Sequence, residues 1–313
     1  FWDSEFGGLF WSIDHKGQVS NTRKQAYAQG FGLYGLSEYY SAFGDPVALD
    51  YARSLYRTLE DKFYEPQFGG YLEALDRDWS EIEDQRLSDK DANAPKTMNT
   101  HLHILEPYSN LYRVDPSQEL RDRLETLTRL FLFKIINPES GHFDLFFARD
   151  WSRQSEIHSY GHNIEGAWLL HEAAELIGDP SLTREVERAS ERLVEVTMNE
   201  GSDKDGSLFN ESEDGVLDTD KHWWPQAEAM VGYLDAYEIT GNSAYLAECL
   251  RVWDFIMSYL IDREQGEWYW RVNKDGMPVE TDDKAGFWKC PYHNSRALME
   301  TLRRIEQITN END

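Results

Sequence analysis

Four polar side chains between residues 96 and 114, Asn99, His103, Glu106 and Asn110, recur at spacings of four, three and four, which places them on one face of a helix. Leu102, Leu105 and Tyr108 flank them, so the face reads as the wall of a polar cavity. An imidazole beside a carboxylate and two amides can bind hydroxyl groups and move a proton. His101 lies about 200° round the helix from His103 and is expected to face elsewhere. Two further histidines stand where helices should begin: His162 follows a Tyr160-Gly161 turn and His293 comes two residues after Pro291. With a reference pKa near 6.5, an imidazole can serve as acid or base at neutral pH. Glu228 follows Trp224 by four and Arg296 follows His293 by three, so each pair shares a helix face. Glu106, Glu165 and Glu228 could in principle supply the paired carboxylates of a glycoside hydrolase. Metal chemistry rests on weaker spacing. His158 and His162 are four apart, and Cys290 is near His293, but Gly161 is expected to interrupt any helix joining the first two, so no metal is expected. The Gly pairs at 7–8 and 69–70 precede strands and not helices, so no phosphate cradle and no nucleotide cofactor are expected.

Composition narrows the ligand. The 313 residues carry 58 acidic and 31 basic side chains, a net charge of -27 spread along the chain, which repels nucleic acid and anionic substrates and favours a neutral ligand. At 40% apolar and 14% aromatic content the chain can bury a large core as one domain, residues 1–313. Mean hydropathy is -0.68 and no window approaches the roughly 18 apolar residues of a membrane span, so no membrane partner is expected. Cys249 and Cys290 are too few for a disulfide framework; both are expected as buried thiols in a reducing compartment, with the cytoplasm as default.

The elements that must position these residues repeat. A glycine turn followed by a short aromatic run recurs at Gly8, Gly70, Gly141, Gly206 and Gly266, in steps of 62, 71, 65 and 60 residues. Between these markers, apolar residues three and four apart predict nine helices over 24–42, 48–63, 96–114, 117–135, 162–178, 181–199, 223–240, 244–260 and 293–309. Gly44-Asp45-Pro46, Asp115-Pro116, Gly178-Asp179-Pro180 and Gly241-Asn242 supply stops and starts within the helix pairs. Helix pairs joined so tightly pack antiparallel, and a ring of them makes a toroid whose inner layer carries the function.

Four segments then carry a resemblance: KTMNTHLHILEPYSNLYR (96–113), SYGHNIEGAWLLHEAAE (159–175), HWWPQAEAMVGYLDAY (222–237) and FWKCPYHNSRALMETLRR (287–304). In this order they resemble the signatures of the N-acylglucosamine 2-epimerase superfamily, in its cellobiose 2-epimerase and mannose 2-epimerase branch. The resemblance implies an all-α (α/α)6 barrel of twelve helices with short β-hairpins at one end. Nine are expected here, so the domain is expected to be N-terminally incomplete, its first three helices and a sugar-contacting arginine lying outside the chain. It implies inversion of carbon 2 of an unmodified aldose, free or at the reducing end of a β-1,4 disaccharide, by proton removal to an enediolate and reprotonation on the opposite face, with no cofactor. It assigns His162 and His293 as the acid/base pair and His103 as a third active-site histidine. Glu165, Trp224 and Trp288 become substrate-contacting or orienting residues, with Asn99, Glu106, Glu228 and Arg296 as further candidates. The partner is then a neutral mono- or disaccharide; no oligomeric state is assigned. Two other functions stay open: a glycoside hydrolase or lyase on the same toroid, and a carbohydrate-binding scaffold without turnover.

Overall fold

A computed structural model of the chain describes residues 1–311. Among them are nine α-helices: α1 Ala26–Phe43, α2 Pro46–Thr58, α3 Met98–Val114, α4 Gln118–Leu130, α5 Tyr160–Ile177, α6 Pro180–Val196, α7 Trp223–Thr240, α8 Ser243–Phe255 and α9 Tyr292–Glu311. The predicted punctuation works as its chemistry requires. Gly44 ends α1 in the left-handed region, its N–H donating to Tyr40 O, and Asp45 then caps α2 by accepting from Val47 N, with Pro46 at the first helical position. Ser117 and Asn242 cap α4 and α8 in the same way.

The even-numbered helices end differently from the expectation. The periodicity merges their last turns into one helix, but residues Leu59–Phe63, Phe131–Ile135, Thr197–Gly201 and Ile256–Leu260 form single π-turns. A π-turn holds one more residue than an α-turn, and here it buries both its first and its last residue, Leu59 with Phe63 and Phe131 with Ile135. Apolar residues four apart look helical in sequence, which is why the widened turn is invisible there.

The chain divides into two compact units. One comprises Phe1–Ile136, Asp144–Ser155 and Glu172–Pro180; the other comprises Asn137–Phe143, Glu156–His171 and the chain from Ser181 onward. In the first, α1 packs on α2 and α3, and α3 on α4; in the second, α7 packs on α8 and α9. Among the odd-numbered helices α3, α5 and α7 are the interior ones, whereas α1 and α9 leave much of their surface exposed. α3 and α7 are buried along most of their length, polar residues included, while α2 and α4 bury one stripe.

Short strands precede α1, α3, α5 and α7. Two of the strand pairs are local hairpins, Ser12–Ile13 with Val19–Asn21 and Glu211–Glu213 with Val216–Asp218. The others join residues some fifty apart: Lys24–Gln25 with Ala74–Leu75, Lys96–Thr97 with Phe146–Phe147, Ile157–Ser159 with Glu211–Glu213, and Lys221–His222 with Arg271–Val272. Each such ladder ties the start of an odd helix to the next repeat.

That repeat is legible residue by residue at the strand-to-helix junctions. Lys24, Lys96, His158, Lys221 and Lys289 occupy one position. The lysines are buried and hold the preceding turn: Lys24 Nζ donates to Asp3 and to Gly7 O, and Lys96 Nζ to Glu65 and to Gly69 O. Five residues on, Gln29, His101, Asn163 and Gln226 each accept from the backbone N–H of the residue after the turn, at Leu9, Tyr71, Phe143 and Leu208. His101 is thus a scaffold residue. Burial holds its pKa down to about 4, so it stays neutral, accepting at Nε2 from Tyr71 N with Nδ1 2.6 Å from Thr97 O. The turn itself needs glycine: Gly70 has φ +84°, and a Cβ there would lie 2.4 Å from the Trp151 ring.

Helix contact in the first unit also leaves no spare volume at Gly30 of α1, where a Cβ would meet His103 O at 2.3 Å. Gly30→Ala is expected to destabilise the protein by about 1–3 kcal/mol through overpacking. Gly35→Ala, on the same helix with nothing within 4 Å, is expected to be neutral or stabilising by up to ~1 kcal/mol. Urea midpoints of the two variants measure the contrast, and equal midpoints would contradict this packing.

Candidate active site

In the second unit the first two turns of α5, α7 and α9 bring most of the expected residues together. Two buried carboxylates form the base of the cluster, Glu165 on α5 and Glu228 on α7, both with fully buried side chains. Arg296, on the second turn of α9, donates from Nη2 to Glu165 Oε1 at 3.0 Å and to Glu228 Oε1 at 2.6 Å. Its Nη1 donates to the Tyr292 hydroxyl at 2.5 Å, and the guanidinium is stacked between two rings, 4.2 Å from the Tyr292 centroid and 4.9 Å from that of Trp168. Glu228 Oε2 accepts from Trp168 Nε1 at 3.0 Å.

One candidate histidine, His293, stands on this base, and the other is tied to it through a shared aromatic neighbour. His293 Nδ1 lies 2.7 Å from Glu228 Oε1 and 3.8 Å from Glu165 Oε1. A carboxylate only accepts, so Nδ1 carries the proton and Nε2 is the nitrogen available for chemistry. His162 Nδ1 lies 2.8 Å from Ser159 Oγ. The two imidazoles share one neighbour, the Trp224 indole, which is 4.7 Å from the His162 ring and 5.5 Å from the His293 ring between centroids. Gly161 makes that approach possible: a Cβ there would lie 2.5 Å from the Trp224 ring. The expectation that Gly161 interrupts the helix is therefore corrected. It is the second residue of α5, and His158 and His162 are separated because His158 belongs to the strand Ile157–Ser159.

Burial alone would push the Glu228 carboxyl up, but the Arg296 charge and the hydrogen bonds from His293 and Arg296 outweigh it and hold the group below the ordinary carboxylate range. Glu165, Glu228 and His293 each offer one ligand atom within 4.8 Å of the others, a donor set a divalent cation could use. Arg296 sets one positive charge against the two carboxylates, which leaves the cluster one net negative charge while His293 is neutral.

The first unit holds Asn99, His103 and Glu106 on α3. His103 and Glu106 are buried, with His103 Nδ1 3.3 Å from Glu106 Oε2, and the His103 ring packs against Tyr27 and Phe31 of α1 at 5.1 and 5.0 Å. Asn110 is buried and donates to Tyr34 O, and Asn99 is half-buried. Trp288 precedes α9, 40% exposed and edge-on to the exposed Phe287. Cys249 is a buried thiol pushed up to about 12, as expected, but Cys290 is exposed, because the segment before α9 is a surface turn and not a helix interior.

Sequence reasoning overlooks Ser159, Trp168 and Tyr292. The junction register would have found two of them. Tyr292 shares a repeat position with Tyr27, Asn99, Gly161 and Trp224, and Ser159 shares one with Thr97. The seventh residue of the same register is Phe31, His103, Glu165, Glu228 and Arg296, so four expected site residues are one position repeated.

A family model described as N-acylglucosamine 2-epimerase matches residues 2–297. A cellobiose 2-epimerase of Bacteroides fragilis is 47% identical over 96% of this chain and 77% of its own length. A D-mannose isomerase of Marinomonas mediterranea is 22% identical over 96% of this chain and 77% of its length. The solved structure of the cellobiose 2-epimerase from Bacillus thermoamylovorans B4167 superposes with a TM-score of 0.93 at 40% identity, covering 97% of this chain and 78% of that one. The fold class is accordingly the all-α (α/α)6 class expected from the sequence.

Removing the guanidinium should leave two buried carboxylates without a counter-charge. Arg296→Met is expected to lower stability at pH 7 by about 3–5 kcal/mol in urea denaturation. The wild-type pair contributes stability above the unfolded carboxylate range and loses it as pH falls through the depressed folded value of Glu228. In the variant the Glu228 carboxyl keeps the upward push of burial without the Arg296 charge that opposes it, so the deficit is expected to shrink as pH is lowered toward 5. A deficit independent of pH would contradict the ion-pair account.

Proposed function

The chain belongs to the N-acylglucosamine 2-epimerase family, and from that membership we propose that it is a sugar 2-epimerase, an isomerase acting on an unmodified aldose such as glucose or mannose, free or as the reducing end of a β-1,4 disaccharide like cellobiose. The observation that carries the reading is the pair of imidazoles, His162 and His293, set against one indole, with His293 resting on a buried carboxylate–guanidinium cluster. After ring opening, Nε2 of one histidine removes the proton at carbon 2, whose acidity comes from the neighbouring aldehyde. The enediolate then takes a proton on its other face from the second histidine, and ring closure gives the epimer. Positioned proton transfer of this kind contributes about 10²- to 10⁴-fold in rate. Glu228 and Arg296 orient His293 and settle its tautomer, with Glu165 completing the ion pair. Trp224 and Trp288 offer apolar faces to sugar C–H groups. His103, with Asn99 and Glu106, takes the sugar-binding and ring-opening role that the resemblance gives it. A cytoplasmic setting belongs to this reading, supported by the low cysteine content.

The hydrolase alternative is the weaker one for a physical reason. Its general acid must keep a proton at neutral pH, which needs a raised pKa. Glu228 is held below the ordinary range, and one guanidinium binds it together with Glu165.

Incubation with glucose, mannose or cellobiose in D₂O is expected to give the C2 epimer with deuterium at carbon 2, followed by NMR and mass spectrometry. His162→Ala and His293→Ala are each expected to lower turnover by at least about 100-fold with the fold intact. Wild-type-like turnover in either variant, or release of monosaccharides from cellobiose, would overturn the proposal.

A further inference from the structure

We propose that Ser159 is a positioning residue for His162, holding the imidazole through Nδ1 so that Nε2 alone faces the reacting carbon; the assignment rests on the epimerase reading above. Ser159 Oγ lies 2.8 Å from His162 Nδ1, and Ser159 is only 3% exposed, so little water competes for the bond. Its backbone is anchored. Ser159 pairs with Glu211 at the end of the strand Ile157–Ser159, which lies in the one three-stranded sheet among the described residues.

The repeat shows what this hydroxyl does elsewhere. Thr97, at the same register position, caps its helix: Oγ1 accepts from the backbone N–H of Thr100, three residues on. At the start of α5 the hydroxyl is bonded three residues on as well, but to a side chain, the ring of His162. The capping geometry is thereby turned to orienting an imidazole. Trp224 bears on the ring of His162 and Ser159 holds its edge, so both side-chain torsions of the histidine are constrained.

The choice of a hydroxyl is chemically specific. Glu228, the partner of His293, is an anionic acceptor, whereas the Ser159 hydroxyl is a neutral one. When His162 is the base, Nδ1–H donates to Ser159 Oγ and Nε2 presents its lone pair. After Nε2 has taken the carbon-2 proton, Nδ1–H still donates to Oγ. The ring therefore need not turn between taking a proton and giving one back. Serine brings no charge of its own, so the two histidines differ in their support: one rests on an anion, the other on a neutral group.

The experiment is steady-state kinetics of the full-length protein with cellobiose and with mannose, comparing wild type, Ser159→Ala and Ser159→Thr, with thermal unfolding of each. Threonine is the conservative variant because Thr97 already fits the equivalent backbone. Expected are a kcat lowered by about 10-fold or more in Ser159→Ala, a KM within about twofold of wild type, and kcat within about threefold of wild type in Ser159→Thr. An unchanged kcat in Ser159→Ala beside an active wild type would overturn the assignment and leave the epimerase reading standing. So would a loss in Ser159→Ala that threonine does not rescue, or one that tracks a lowered Tm, since both mark a purely structural hydroxyl. A wild-type protein that neither epimerises these sugars nor exchanges their carbon-2 hydrogen would overturn the function, and this assignment with it.

Discussion

Two carboxylates cannot share a dry interior as anions unless a cation is held between them. Glu165 and Glu228 meet that condition through the single guanidinium of Arg296, and the three groups come from three helices, α5, α7 and α9. Their mutual requirement fixes where those helix starts lie in the second unit. In such surroundings each charge is expensive to strand, so the cluster is held to one arrangement more firmly than an apolar contact of the same size would hold it. His293 takes its tautomer from Glu228, and Glu228 is steadied in turn by Trp168.

The repeated junction explains how such a cluster is built from ordinary parts. A buried lysine and an amide or histidine five residues later secure the glycine turn, and these scaffold positions vary little in kind: Lys24, Lys96, Lys221 and Lys289 in one, Gln29, His101, Asn163, Gln226 and Asn294 in the other. The fourth and seventh positions are released from that task. They carry His162 and His293 in one case, and His103, Glu165, Glu228 and Arg296 in the other. His101 and His103 show the division within two residues: one accepts a backbone N–H and is kept neutral by burial, while the other faces Glu106, Tyr27 and Phe31.

Much of this was legible without coordinates. The nine helices follow from apolar spacing, and several of their ends from Gly44, Asp45, Asp115 and Asn242, because caps and left-handed stops are local physics; the Ser117 cap was legible only in the structure. The π-turns were not, since an extra residue in one turn leaves the four-residue apolar interval intact. Nor were the strand ladders, whose partners sit some fifty residues apart and leave only two residues of pattern. The exposure of Cys290 and the helical state of Gly161 depend on what packs beside them, a surface turn in one case and the Trp224 ring in the other.

By itself the sequence determined the residue types, their helical register and the family signatures that single out His103, His162 and His293, because these depend on neighbours within a turn or two along the chain. Only the tertiary structure decided which groups speak to which: that Arg296 neutralises Glu165 and Glu228 together, that His293 leans on a carboxylate, and that His162 leans on Ser159. In all but the last of those bonds, residues sixty-five to a hundred and thirty-one positions apart meet. Such meetings are set by how helices pack, and helical periodicity says which way a side chain points but not what it will find there.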